Sequence, residues 1–147
     1  MGGHPYFYVV EYQADIQAAL DGLREREFKA GRYNPVVPNL EFPLTAASPA
    51  PGAKHASIEL AREAAGEEGT RSILDIETID DAPDFFVAAP LADDVLDSFY
   101  GTKQPTREKI GEDMDFMEEV ERGNCVYIIL HKDGKPHEIL FAGYSLD

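Results

Sequence analysis

A tight turn near the C-terminus constrains the fold of this chain more than any other part of its sequence. Asp133 and Gly134 separate one apolar run, 124–132, from a second one, 136–144. An Asp-Gly pair between two such runs is typical of a hairpin, because both central residues of the turn take positive φ angles. The sequence therefore predicts a C-terminal β-hairpin.

The two-residue turn also predicts which side chains face each other across the hairpin. Three facing pairs share one side of it: Leu130 with His137, Ile128 with Ile139, and Val126 with Phe141. Side chains alternate along a strand, so this nearly all-apolar side is expected to lie on the core. Glu138 lies on the other, mixed side, flanked by Tyr127 and Ile129. That side is therefore the first place to look for a ligand site.

Periodicity and capping residues predict the remaining elements. In chain order these are a strand at 6–12, a helix at 15–28, a helix at 58–65, a strand at 70–79, a short apolar run at 85–88, a short helix between Pro90 and Gly101, and a helix at 106–122. We therefore expect an α+β fold. Its antiparallel sheet of four to five strands combines 6–12 and 70–79 with the hairpin, and helices 15–28 and 106–122 pack on one face.

The length of 147 residues fits a single globular domain, 1–147. Residues 1–5 lack the pattern of a secretory signal and are expected to be a disordered or expression-derived lead. Residues 31–56 contain five of the ten prolines and form a long connection, which is typical either of a functional loop or of a flexible one. Within it, 45–54 has no large apolar side chain to bury and is predicted to be a mobile loop.

The charge is the unusual feature of the composition. There are 28 acidic and 13 basic residues, a net charge of −15, and residues 55–100 hold 12 acidic side chains against 2 basic ones. No basic patch is available to neutralise phosphates, so direct binding to nucleic acid or to an anionic membrane is disfavoured. No apolar run approaches transmembrane length. The single cysteine, Cys125, excludes an intrachain disulfide and is compatible with the cytoplasm, where we expect the protein.

The acidic excess favours a non-catalytic binding protein of the inhibitor, immunity or antagonist type, which presents a negative face to a basic partner protein. Four carboxylates recur along the predicted helix 106–122, opposite its apolar stripe, and three more precede it. The predicted partner-binding residues are Glu108, Glu112, Asp115, Glu119, Asp93, Asp94 and Asp97. The plainer interpretation is that these acids only keep the protein soluble.

Motifs for catalysis are missing from the sequence, which has no nucleophile elbow, P-loop, dinucleotide fingerprint or calcium loop. Cys125, His131 and His137 cannot converge on a zinc ion, because the predicted hairpin separates them along a strand and over two faces. The sequence thus predicts no catalytic residue, no metal and no cofactor. The alternative is a small-molecule-binding or enzymatic domain with the 31–56 loop as a lid. Its ligand-binding residues would be Tyr127, Glu138, Tyr144 and His55.

Overall fold

A five-stranded mixed sheet forms the centre of the computed structural model, which describes residues 3–147. Its strands are β1 (Pro5–Glu11), β2 (Thr78–Ile79), β3 (Val87–Pro90), β4 (Cys125–Lys132) and β5 (Lys135–Tyr144), in the spatial order β1-β5-β4-β3-β2. The first three strands in that order are antiparallel, whereas β3 pairs parallel to both β4 and β2. The predicted α+β class is confirmed, but the prediction of an antiparallel sheet is wrong. A long connection from β3 to β4 returns the chain to the same end of the sheet, as parallel pairing requires.

Among residues 3–147, four α-helices accompany the sheet: α1 (Ile16–Ala30), α2 (Ile58–Ala65), α3 (Asp93–Tyr100) and α4 (Arg107–Ile110). Single 3₁₀ turns occur at Gly66–Glu68, Ile73–Asp75 and Asp115–Glu119. The start of α1 is fixed by Asp15, whose side chain accepts a hydrogen bond from the Ala18 amide at 3.0 Å, and its end by Gly31, at a φ of 74°. Ser57 caps α2 in the same way. Both helices therefore begin where their capping residues predict.

A β-bulge in the hairpin overturns the predicted pairing. Asp133 and Gly134 form the turn, with φ angles of 53° and 76°, and Lys132 faces Lys135. The bulge between Leu130 and His131 then shifts the register by one residue, so that Leu130 faces Glu138. From Glu138 onward, each side chain of β5 consequently lies on the face opposite to the predicted one.

Both faces of the sheet are covered, so the prediction that the helices pack on one face is wrong. One cover, which we call the α1 layer, comprises residues 15–76 and packs on Tyr6, Tyr8, Cys125, Ile139 and Phe141 of the sheet. The other, the 91–122 layer, packs on Val126, Ile128, Leu130, Leu140 and Ala142. Both sides of the central strands carry apolar side chains, and each side requires its own cover.

The segment 106–122 is not one helix, contrary to the prediction. α4 ends at Ile110 because Gly111 takes a φ of 69°, and the chain turns again at Met114, at a φ of 46°. The predicted apolar stripe is nevertheless buried at Ile110, Met114, Met117 and Val120. The pattern of burial was readable from the sequence, whereas the continuity of the helix was not.

The predicted strand 70–79 is reduced to Thr78–Ile79. Ser72 accepts a hydrogen bond from the Leu74 amide at 3.2 Å and caps the 3₁₀ turn that follows it. Arg71, just before it, takes a φ of 54°. This turn buries Ile73, Leu74 and Ile76, so the alternation of the sequence does not correspond to two faces of a strand.

The long connection 31–56 contains no helix or strand. Its side chains Val36, Phe42 and Leu44 pack against the α1 layer's core. The amide of Gly52 donates to the Ala30 carbonyl at 2.9 Å. That residues 45–54 are mobile stays a prediction.

Of the predicted lead 1–5, residues 1 and 2 lie outside the described part of the chain. The His4 amide donates to Ser145 Oγ at 2.8 Å. Among the helices that the structure describes, none has the length and apolar character needed to cross a membrane.

Candidate functional site

The four residues predicted to bind a ligand lie apart. Tyr127 is on the α1 face, half-buried against Phe141 with ring centroids 6.2 Å apart, and burial raises the pKa of its hydroxyl. Glu138 is on the opposite face, with Oε2 3.6 Å from Nη1 of Arg107. The bulge is the cause of this separation, since it moves Glu138 to the side of Leu130.

The other two members of that group are also distant from each other. Tyr144 packs at the margin of the 91–122 layer, at the end of β5 opposite Pro5. His55 lies in the long connection, where its Nδ1 is 2.7 Å from the buried hydroxyl of Tyr33. This contact joins the two ends of the long connection, which is a structural role.

The residues predicted to bind a partner are all exposed, and they lie on one layer. α3 packs against the 115–119 turn, and the Phe116 amide donates to the Tyr100 hydroxyl at 3.4 Å. The exposed partner-binding residues of this layer are Asp93, Asp94, Asp97, Glu108, Glu112, Asp115 and Glu119. Although the predicted helical stripe does not exist, these side chains still project from the outside of the layer, because their apolar neighbours fill its inside.

Few of these carboxylates are neutralised by nearby cations. The 91–122 layer holds ten acidic and four basic residues. Within residues 3–147, Asp97 is the one carboxylate of the layer at ion-pair distance from a basic side chain, 3.9 Å from Nζ of Lys103. The surface of the layer therefore carries a strong negative charge that is compensated mainly by solvent ions.

An apolar groove opens beside these acids, between α4 and the edge strand β1. It has a volume of about 490 Å³, and its floor consists of Phe7 and Val9 of β1 with Leu130 and Leu140 of the hairpin. One wall is formed by Ile110 and Met114, and Pro43 lies on the other side. The mouth carries Arg107, Glu108 and Glu112. Two of the predicted partner-binding residues thus border the groove, whereas its apolar floor was not predicted.

The groove exists because the 91–122 layer stops short of β1. α4 is only 4 residues long, and the positive φ of Gly111 turns the chain away before it can cover Phe7 and Val9. Those two side chains are only half-buried, although they lie on the apolar side of the sheet. Gly111 inside a predicted helix was the sequence signal that could have indicated this break.

A second cavity, of about 410 Å³, lies near α2 and is lined by the buried carboxyl group of Asp75. Asp75 accepts hydrogen bonds from the amide and hydroxyl of Thr70, at 3.0 and 2.9 Å. Burial is the main reason that the pKa of Asp75 is raised, while those bonds and Arg62 act in the opposite direction. The guanidinium of Arg62 lies 5.2 Å above the ring of Phe86. With its oxygens engaged by Thr70, Asp75 fixes the 70–75 turn.

The remaining reactive groups do not form a site. Burial raises the pKa of the Cys125 thiol to about 12, so the thiol stays protonated and is a poor nucleophile. In the part of the chain that the structure describes, no three His, Cys, Asp or Glu side chains are placed to hold a metal ion. The groove is therefore the place where predicted partner-binding residues lie next to partly exposed apolar side chains.

Comparisons of this chain with protein-family models, with curated proteins and with solved structures find no match.

Proposed function

We propose that this protein is a non-catalytic acidic binding protein, of the inhibitor, immunity or antagonist type, whose 91–122 layer binds a basic partner protein. The observation that carries this proposal is that the carboxylates of the layer are exposed while only Asp97 is near a described cation. The lone cysteine of the chain is a free, buried thiol, which suits the cytoplasmic location that we also propose.

Electrostatics gives the expected mode of binding. Carboxylates that crowd one surface repel each other, and a cationic partner relieves this repulsion as it docks. Complementary charge also steers the encounter, so association should be fast at low salt. It should slow steeply as salt rises, because the Debye length falls from about 10 Å at 0.1 M to about 3 Å at 1 M.

The alternative, a ligand-binding or enzymatic domain with the 31–56 loop as its lid, has less geometric support. It needs Tyr127 and Glu138 in one pocket, but these side chains lie on opposite faces of the sheet. It also needs His55 near that pocket, but His55 bonds to Tyr33. We therefore prefer the acidic binding protein.

The test compares three forms of the full chain as bait in a lysate of the source organism. They are the wild type, a charge-reversed form with Glu112→Lys, Asp115→Lys and Glu119→Lys, and a control with Asp21→Lys, Glu25→Lys and Glu41→Lys. Both variants change the net charge equally, but the control does so outside the 91–122 layer. We expect wild type and control to retain a basic protein at low salt and release it at high salt, and the charge-reversed form not to retain it.

The association rate of that basic protein with each purified form then gives a quantitative check. The charge-reversed form should associate at least about tenfold more slowly at low salt, whereas the control should change little. Equal rates and equal salt dependence for all three forms would show that the layer is merely a solvated surface.

A further inference from the structure

We infer that the groove between α4 and β1 binds a cationic amphipathic helix of the partner protein. This inference rests on the proposed function and specifies which part of the acidic layer makes the contact and what chemistry the partner brings to it. Two properties of the groove carry it: Phe7 and Val9, which the fold leaves half-buried beside the buried Leu130 and Leu140, and carboxylates at its mouth.

The apolar floor belongs to the core of the protein rather than to its ordinary surface. Leu130 and Leu140 are only 1% and 3% exposed, and Phe7 and Val9 extend the same sheet face outward to the edge strand. Filling the groove with apolar side chains would complete the cover of this face. Removing this apolar surface from water would favour association.

The size of the groove fits one face of a helix. A volume of about 490 Å³ is in the range of binding pockets and holds about two or three large apolar side chains. A helix presents such a set at positions i, i+3 or i+4, and i+7, along a line about two turns long. The helix also satisfies its own backbone hydrogen bonds, so it can enter an apolar groove without leaving polar groups unpaired.

The charges at the mouth select a cationic helix over an anionic ligand. Glu108 and Glu112 border the groove and are exposed, and among the described residues neither side chain has a hydrogen bond or an ion pair. Arg107 also lies at the mouth, and its guanidinium is 3.6 Å from Glu138. A carboxylate ligand would meet two acids and an already engaged arginine, whereas lysines flanking an apolar stripe would meet two available carboxylates.

The experiment uses defined peptides in place of the unidentified partner. The first is a Leu/Lys peptide of about 15 residues with one apolar face, long enough to form a helix when bound. The second is a Ser/Lys peptide of equal length and charge without the apolar face, and the third is a Leu/Glu peptide with the opposite charge. Dissociation constants are measured by titration calorimetry with the full chain, and methyl NMR follows Ile110, Met114 and Leu130.

We expect the Leu/Lys peptide to bind and to shift the methyl signals of Ile110, Met114 and Leu130, while the other two peptides bind at least about tenfold more weakly. The rim variant Glu108→Lys/Glu112→Lys should weaken Leu/Lys binding by about tenfold or more. The control Glu118→Lys/Glu121→Lys carries the same charge change on the same layer, away from the groove, and should leave binding within about threefold.

Each other outcome overturns the inference. Equal binding of the Ser/Lys peptide, or an equal loss of affinity in both double variants, would mean that the peptide binds to the charge of the whole layer. The proposed function would then stand without the groove. Tighter binding of the Leu/Glu peptide than of the Leu/Lys peptide would show that the groove binds an anionic ligand. No binding of the Leu/Lys peptide would remove the groove as a helix site, and the lysate experiment would still test the acidic layer independently.

Discussion

On one face of the sheet, the α1 layer buries charged and polar side chains along with its apolar ones, whereas the 91–122 layer on the other face buries no charged side chain among its described residues. The buried polar residues of the α1 layer are Glu27, Asn34, Thr70, Ser72 and Asp75. The 91–122 layer separates its residues cleanly, with apolar side chains inside and carboxylates outside.

The two layers are held together by different kinds of contact. In the α1 layer, directional contacts hold a long helix and a loop in place, since Glu27 binds Arg32 through two bonds of 2.7 and 2.8 Å. In the 91–122 layer, short segments are held mainly by non-directional apolar packing, and their outer charges repel. A layer of the second kind can leave apolar surface open for a partner, whereas the cavity of the α1 layer near α2 is lined largely by charged side chains such as Arg62 and Asp75.

The largest expected effect is a difference in the free energy of unfolding between two truncations to Ala, one in each layer. Leu20→Ala removes a side chain that is 0% exposed in the α1 layer and should lower the free energy of unfolding by about 3–4 kcal/mol. Ile110→Ala should cost about 2 kcal/mol or less, because Ile110 borders the groove and the space left is open to solvent. Urea denaturation of both variants measures the difference, and equal losses would mean that the groove wall is packed as tightly as the α1 layer.

The next effect concerns the buried ion pair of the α1 layer. Arg32→Leu should destabilise the protein by about 2–3 kcal/mol, since it leaves the fully buried Glu27 with Arg26 alone. Arg26→Leu, at a side chain 49% exposed, should cost less than about 1 kcal/mol. Thermal and urea unfolding of the two variants provide the measurement. A larger loss for Arg26→Leu would reverse the assignment of the main partner of Glu27.

The smallest effect is a pH dependence that only a layer with a buried carboxyl group can show. The pKa of Asp75 is raised above its ordinary value of 3.8, so the folded state holds this proton more tightly than the unfolded state. The stability contributed by that proton is present below the ordinary pKa and is lost as the pH rises through the raised one. The free energy of unfolding of wild type minus that of Asp75→Asn should therefore fall as the pH rises from the ordinary carboxyl range.

Asp80→Asn, which removes one exposed carboxylate, is the matched control for the change of charge. Urea titrations at a series of pH values supply both curves. If the Asp75→Asn difference instead grew with pH, hydrogen bonds from Thr70 would outweigh burial in setting the protonation of Asp75.

Several features of the α1 layer could be predicted from the sequence because they depend on contacts between residues close in the chain. The bonds from Asp15 to the Ala18 amide and from Ser57 to the Leu60 amide span three residues and fix where α1 and α2 begin. The turn of the hairpin depends on Asp133 and Gly134 alone. Such contacts leave a local pattern that can be read without knowing the fold.

The candidate site could not be predicted in the same way, because it results from non-local choices. Pro136 is a local signal near the bulge, because proline occurs in sheets mainly at edges and bulges, but it does not fix the register. The bulge alone decides that Glu138 and Tyr127 lie on different faces. In the sequence, nothing distinguishes Asp75 from the other acidic residues of its segment, but in the fold it accepts a hydrogen bond from Thr70. The acidic residues of the 91–122 layer were correctly expected at the surface, since unpaired carboxylates are too costly to bury.

The bulge at Leu130 also sets which changes of chain length the protein can tolerate. Alternation along a strand has only two states, and His137 is the extra residue of β5, since His131 faces Pro136 whereas Leu130 faces Glu138. Removing His137 would therefore remove the bulge and leave the side chains of both interiors in place. Removing Ile139, within the paired part of β5, would instead move Leu140 into the α1 layer and Phe141 into the 91–122 layer. An insertion in 45–54, which belongs to no strand, would lengthen a loop and leave both interiors unchanged. The hairpin therefore tolerates a change of length only at its bulge, whereas the loop 45–54 can change length without altering either interior.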